Sequence, residues 1–225
     1  STHPSISSIK HELTNTRSII AIDTETTGLA WTKDQAFGFS IAFDNSSYFL
    51  RNEYYSLEEL RSLLSLIFAS NRPLVFHNSK FDAHMIRRTY NIEVPFENVH
   101  DTYTLAYLHN NEENHKLKVL ACTYISPDAD KYEKALQAAM HELRTTKYEL
   151  VPASLMDLYA KKDAEYTLML YKLLYTKLSK KEQEWYGWSH RAIFGFSIGS
   201  EVKEGDCCAS SGYTEEYLKE HPEDD

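Results

Sequence analysis

The 225-residue sequence predicts an α/β fold built on a mixed sheet, and three observations carry that prediction. Short apolar runs rich in β-branched and aromatic residues come early in the chain. Two of them flank an Asp-Asn pair, the signature of an antiparallel hairpin. Beyond them, short apolar runs alternate with stretches of helical period, which is how strands are joined across helices.

The elements follow in order. Ser18 to Asp23 reads as a buried strand. AFGFSIAF (Ala36 to Phe43) and SYFL (ending at Leu50) form a hairpin about Asp44-Asn45. Ser56 with Glu59 three residues later is a capping box that opens an amphipathic helix, stopped by Asn71-Arg72-Pro73. Leu74 to Phe76 is a short strand, and SKFDAHMIRRTY a helix ending near Asn91. ENVH is extended, Asp101 caps the helix DTYTLAYL, and HKLKVLACTY is a further helix. Asp128 to Leu150 is helical with a solvated polar face, and Pro152 breaks it. Ser154 then opens a long helix of strong 3.6-residue period. After Trp185 the period is lost. Ile193 to Ile198 reads as a strand, and Thr214 as the cap of a short last helix.

The domain plan is a polar extension over 1–17, a body over 18–180 and an acidic extension over 181–225. A 42% hydrophobic chain of this length builds one good core. No run of eighteen apolar residues exists, so no membrane partner is expected. Three cysteines without metal-ligand spacing fit a reduced, cytoplasmic setting. The net charge of −9 is uneven: residues 181–225 carry −7 and the first 180 only −2. The body can therefore still meet a phosphate chain.

The chemistry concentrates in acids at element ends. Asp23 and Glu25 are two apart on a strand, so both side chains face one way. Two carboxylates so close repel unless a cation lies between them, and a hard divalent ion is the usual solution. A solvated strand end followed by a turn is the plain alternative. Asp82 lies where a strand gives way to a helix. Tyr159 and Asp163, four apart, share one face of the long helix. Acids from a strand, a junction and a helix are the donor set of a two-metal phosphodiesterase, whose ions sit about 3.5–4 Å apart.

IAIDTETTGL, FHNSKFD and YAKKDAEYTL resemble, in order and spacing, the three motifs of the DEDD superfamily of 3′→5′ exonucleases. With the intervening HDTYTLAYLHNNEENHKLKVLACTY, the likeness is to the proofreading domain of family A, polymerase I-like DNA polymerases. It covers about Ser18 to Leu178 and implies an RNase H-like fold. It also implies two divalent ions, Mg²⁺ or Mn²⁺. Asp23, Glu25 and Asp163 would hold one, and Asp23 with Asp82 would hold the other. Tyr159 would orient the attacking water, Leu29 would wedge against the terminal base, and Asn78 would bond near the 3′ end. Tyr at the fourth position before Asp163, with Leu158 where the histidine type has His, marks the tyrosine type.

The implied activity is hydrolysis of single-stranded or frayed DNA 3′ ends to nucleoside monophosphates, in proofreading or repair. Ribonuclease D-like processing of RNA and a non-catalytic binding module are the alternatives. A separate polymerase chain is an expected partner, with a viral source placing the protein in host cytoplasm, and the acidic extension docks such a partner, covers the nucleic-acid groove or is disordered. Asp101, His77, His100 and His115 read as structural, while Lys80, Lys161 and Lys162 are candidate phosphate contacts.

Overall fold

The alternation of side chains along the first strand sets the architecture. In the computed structural model, which describes residues 3–30, 32–184 and 186, β1 spans Ile20–Thr26. Ile20 and Ile22 enter one apolar cluster and Ala21 another, so the strand is buried on both faces. β2 (Ala36–Ala42) and β3 (Ser47–Arg51) do the same: Phe39 and Ile41 go to the first cluster and Ala42 to the second. The turn between them closes with the Phe43 N–H donating to Ser46 O at 2.8 Å.

β4 (Leu74–Phe76) and β5 (Val99–Asp101) complete a five-stranded sheet in the order β3-β2-β1-β4-β5. β2 runs antiparallel to β1 and β3, while β1, β4 and β5 are mutually parallel. The mixed sheet predicted from the hairpin and the later alternation is therefore present. The parallel pairs are joined through α2 (Leu57–Ala69) and α3 (Ser79–Tyr90), as parallel pairing requires. The Ser56–Glu59 capping box is formed in both directions. Asn91 ends α3 in the left-handed region, φ 53°.

The first cluster also receives α1 (Ile6–Asn15) through the buried Ile9 and Leu13. The polar reading of the first seventeen residues missed this helix, in which Ile9 and Leu13 are buried and Ile6 packs against the core partly buried. On the opposite face, α7 (Ala153–Lys177) lies across the sheet with α4 (Thr102–His109) and α5 (Leu117–Tyr124). Ala21 and Ala42 are the sheet's contribution there, and their small size lets α7 approach closely. α6 (Lys131–Glu142) is shorter than the expected helix; Arg144 then turns at φ 52° and a single 3₁₀ turn follows over Tyr148–Leu150. α7 opens at Ala153 with Pro152 at its cap position, one residue earlier than Ser154, and no side chain caps it. The expected strand at Ile193–Ile198 and the Thr214 helix lie outside the described residues.

Candidate active site

Parity along β1 decides which acids meet. Asp23 and Glu25 follow Ala21 at two-residue steps, so they face α7, where Asp163 is buried. One oxygen from each of Asp23, Glu25 and Asp163 lies within 4.8 Å of the others. The pairing of β1 with β2 slips between Glu25 and Thr26, where Phe37 is the extra residue on the β2 side. Gly38 stands opposite Glu25 in the ladder. A Cβ there would sit 2.7 Å from the Leu50 carbonyl oxygen and 2.8 Å from the Phe49 ring, so no side chain fits. The glycine was legible in the sequence, but its demand for space was not.

Asp82 arrives on α3, on the opposite layer. Thr24, the even residue between the two acids, faces that side and donates both its N–H (3.0 Å) and its hydroxyl (2.6 Å) to Asp82 Oδ1. Asp82 is thus fastened to the back of the strand that carries Asp23 and Glu25. It is within electrostatic reach of both but outside their three-oxygen cluster.

The electrostatics describe a strained set. Desolvation, then the Glu25 carboxylate, pushes Asp23 well above the ordinary carboxylate range. Desolvation and Asp163 do the same to Glu25, whose Oε1 is buried without a hydrogen-bond partner among the described residues. Burial raises Asp163 too, opposed by the ammonium of Lys118, with which it forms an ion pair. Burial lifts Asp82 to about 7, opposed by the two bonds from Thr24. Converging carboxylate oxygens that lack donors fit a hard divalent cation, and the unpartnered Glu25 oxygen is the observation that shows the fit.

Tyr159 lies one turn before Asp163 on α7 and is 9% exposed. Its ring stacks on Tyr148 at 6.3 Å, and the Lys118 ammonium lies 4.5 Å from its centroid. Burial holds the phenol well above its ordinary range, so it stays protonated. Lys118 is the residue that motif reasoning passed over. It was legible only as part of an amphipathic helix, and its 8% exposure is what sets it apart.

The remaining candidates sit around this centre. Leu29 is 85% exposed on the loop leaving β1. Asp34 shapes that loop by accepting from Ala30 N (2.8 Å) and Thr27 Oγ1 (3.2 Å). Asn78, exposed, occupies the left-handed region at φ 68°. Asp101 holds it there: Oδ1 accepts from Asn78 N at 2.9 Å, and Oδ2 from Ser79 N and Oγ, both at 2.8 Å. Asp101 also caps α4 through Tyr103 N, as expected. His77 bridges Thr102 Oγ1 (2.7 Å) and His115 O (2.8 Å), a structural arrangement. Lys161 and Lys162 pair with Asp157 and Glu165 along α7.

Comparison with known proteins bears on this geometry. A family model described as 3′-5′ exonuclease matches residues 2–179. A DNA polymerase DpoZ of Salmonella phage PMBT28 is 32% identical over 174 residues, which is 72% of this chain and 27% of that protein. The DNA polymerase of Escherichia phage T5 is 27% identical over 179 residues, 73% of this chain and 21% of that one. The chain thus spans about a quarter of the length of these curated relatives. Among solved structures, Trypanosoma brucei RNase D superposes with a TM-score of 0.66 at 13% identity, covering 98% of this chain and 78% of that one. Brucella melitensis NrnC with bound Mg²⁺ gives 0.55 at 19%, covering 81% and 82%; both likenesses are of fold. A second model, type I Thoeris inhibitor Tad6, matches residues 172–225 only. Matched over most of its length by the exonuclease model, the chain belongs to the 3′-5′ exonuclease family related to the proofreading domains of family A DNA polymerases, and it is a nuclease.

Proposed function

We propose that this nuclease removes nucleoside monophosphates from single-stranded or frayed DNA 3′ ends, in proofreading or repair during phage replication. The observation that carries hydrolysis is the convergence of Asp23, Glu25 and Asp163 from β1 and α7. DNA as substrate, and host cytoplasm as setting, are supported by the two phage DNA polymerase relatives.

Asp23, Glu25 and Asp163 would hold a divalent ion, and Asp82, tied behind β1, would support a second beside Asp23. Bound Mg²⁺ or Mn²⁺ supplies positive charge that acidifies a water and offsets charge on the phosphate. The chain's own residues do the rest. Tyr159, protonated, hydrogen-bonds and orients the water that attacks phosphorus. The bond to the 3′ oxygen breaks, and that oxygen leaves with a proton. Leu29 stacks against the terminal base, and Asn78, pre-set by Asp101, bonds near the 3′ end.

The test is digestion of 5′-labelled single-stranded DNA and the matching RNA with Mg²⁺, Mn²⁺ or EDTA, beside Asp163→Ala. A metal-dependent ladder shortening from the 3′ end of DNA, absent in the variant, is the expected result. Preferential shortening of RNA would replace the DNA reading with RNA 3′ processing, and no shortening of either would favour a binding module or a required polymerase partner.

A separate reading applies to residues 172–225: inhibition of type I Thoeris, favoured by the Tad6 model match. That segment begins inside α7, and Leu174, Leu178 and Tyr186 are buried in the core of the nuclease body. If the two activities are separate, full-length Asp163→Asn keeps Thoeris inhibition while losing nuclease activity. Loss of both would tie inhibition to phosphodiester cleavage.

A further inference from the structure

Lys118 is a buried ammonium placed among the acids proposed to take the metal. It rises from the first turn of α5, is 8% exposed, pairs with Asp163, and lies 4.5 Å from the Tyr159 ring centroid. Its charge favours the anions of Asp23, Glu25 and Asp163 alike. A lysine is tolerated at such depth only because carboxylates surround it. A divalent ion on the same oxygens would meet this ammonium at close range, where like charges repel strongly in a poorly solvated site. Glu133 of α6, which is half-buried, is a further carboxylate within electrostatic reach of Lys118.

We propose that Lys118 is the tethered counter-cation of the acid cluster, occupying it when no metal is bound and moving toward Glu133 when a divalent ion enters. Metal uptake is then an exchange of one cation for another, so the three clustered acids are never left without a positive partner. The lysine sets how tightly the metal is held. The inference rests on the proposal that Asp23, Glu25 and Asp163 take the metal.

Two readouts independent of turnover test it on the full chain. The first is Mn²⁺ affinity by calorimetry for the wild type, Lys118→Met and Lys118→Arg, with Asp163→Asn as the control for the site. Lys118→Met is expected to bind Mn²⁺ at least about tenfold tighter than wild type, since a competing charge is gone. It should also melt lower in EDTA, while Lys118→Arg binds no tighter than wild type. The second is acetylation of Lys118 by an amine-reactive ester, read by mass spectrometry, which should rise several-fold on saturation with Mn²⁺ as the ammonium leaves the cluster. This measurement needs no variant, so it decides the matter even if Lys118→Met does not fold. Equal Mn²⁺ affinity in Lys118→Met, or Lys118 reactivity unchanged by Mn²⁺ that does bind, would overturn the exchange. Absence of any Mn²⁺ binding that Asp163→Asn weakens would instead overturn the metal site itself.

Discussion

Two groups of buried acid stand at the same end of the sheet and are held in opposite ways. Asp101, at the end of β5, is 5% exposed, and its two oxygens receive four hydrogen bonds from Asn78, Ser79 and Tyr103. Glu25 and Asp163 are 7% and 6% exposed, yet they face other carboxylates and a single ammonium. Burial is the same in both places. The supply of donors differs, and that decides whether a buried carboxylate is satisfied as a structural clamp or is left with oxygens that suit a cation.

Asp23 is where the two groups of acid should differ most. Asp23→Asn keeps the shape but removes a charge from the crowded cluster, so activity should fall by about a thousandfold or more. The melting temperature in EDTA should not fall with it, because a repulsion has been relieved. A parallel loss of stability and activity would mean that Asp23 is structural like Asp101.

Asp101→Ala is the mirror experiment. It leaves backbone donors of Asn78, Ser79 and Tyr103 without their acceptor, and about 3 kcal/mol of stability should be lost in chemical denaturation, with or without metal. Retained stability would show that water replaces the carboxylate and that the clamp is weaker than its four bonds suggest.

The pH dependence sharpens the contrast further. Asp82 is raised to about 7 in the folded chain against an unfolded value near 3.8. The folded state therefore binds more protons than the unfolded state between those values, and stability is lost as pH rises through about 7. Asp23 and Glu25 are shifted in the same direction. In EDTA the melting temperature should fall between about pH 4 and 7, and Asp82→Asn should reduce that slope. Saturating Mg²⁺ should flatten it, since an ion replaces the protons. Within that window His77, whose charging burial disfavours, works in the opposite sense.

The smallest effect belongs to Leu29, on the loop that a third acid, the half-buried Asp34, shapes by accepting from Thr27 Oγ1 and Ala30 N. Leu29→Ala should leave stability within about 0.5 kcal/mol, because the side chain is 85% exposed. Release from base-paired 3′ ends should fall more than release from single strands. Equal loss on both substrates would remove the wedge role.

Much of this was legible in the linear chain because it depends on local period. Two-residue spacing put Asp23 and Glu25 on one face, four-residue spacing put Tyr159 and Asp163 on another, and Ser56 with Glu59 formed the cap that their spacing predicts. Asp101 was recognisable as a cap for α4, but its grip on Asn78 and Ser79 was not, since those partners lie more than twenty residues earlier. Helix α1 escaped notice because its apolar face is no more than Ile6, Ile9 and Leu13 in a polar stretch.

By itself, the sequence determined the order of strands and helices, the identity of the acids and the face each one takes on its own element. Only the tertiary structure decided which faces meet. Asp82 is tied to the far side of β1 through Thr24, Gly38 admits the Leu50 backbone and the Phe49 ring, and Lys118 enters the cluster from a helix whose local pattern says only that it is amphipathic. Local period fixes direction within an element. The approach of one element to another is set by packing across the sheet, where small residues at Ala21 and Ala42 admit α7 and bring Asp163 to the acids of β1.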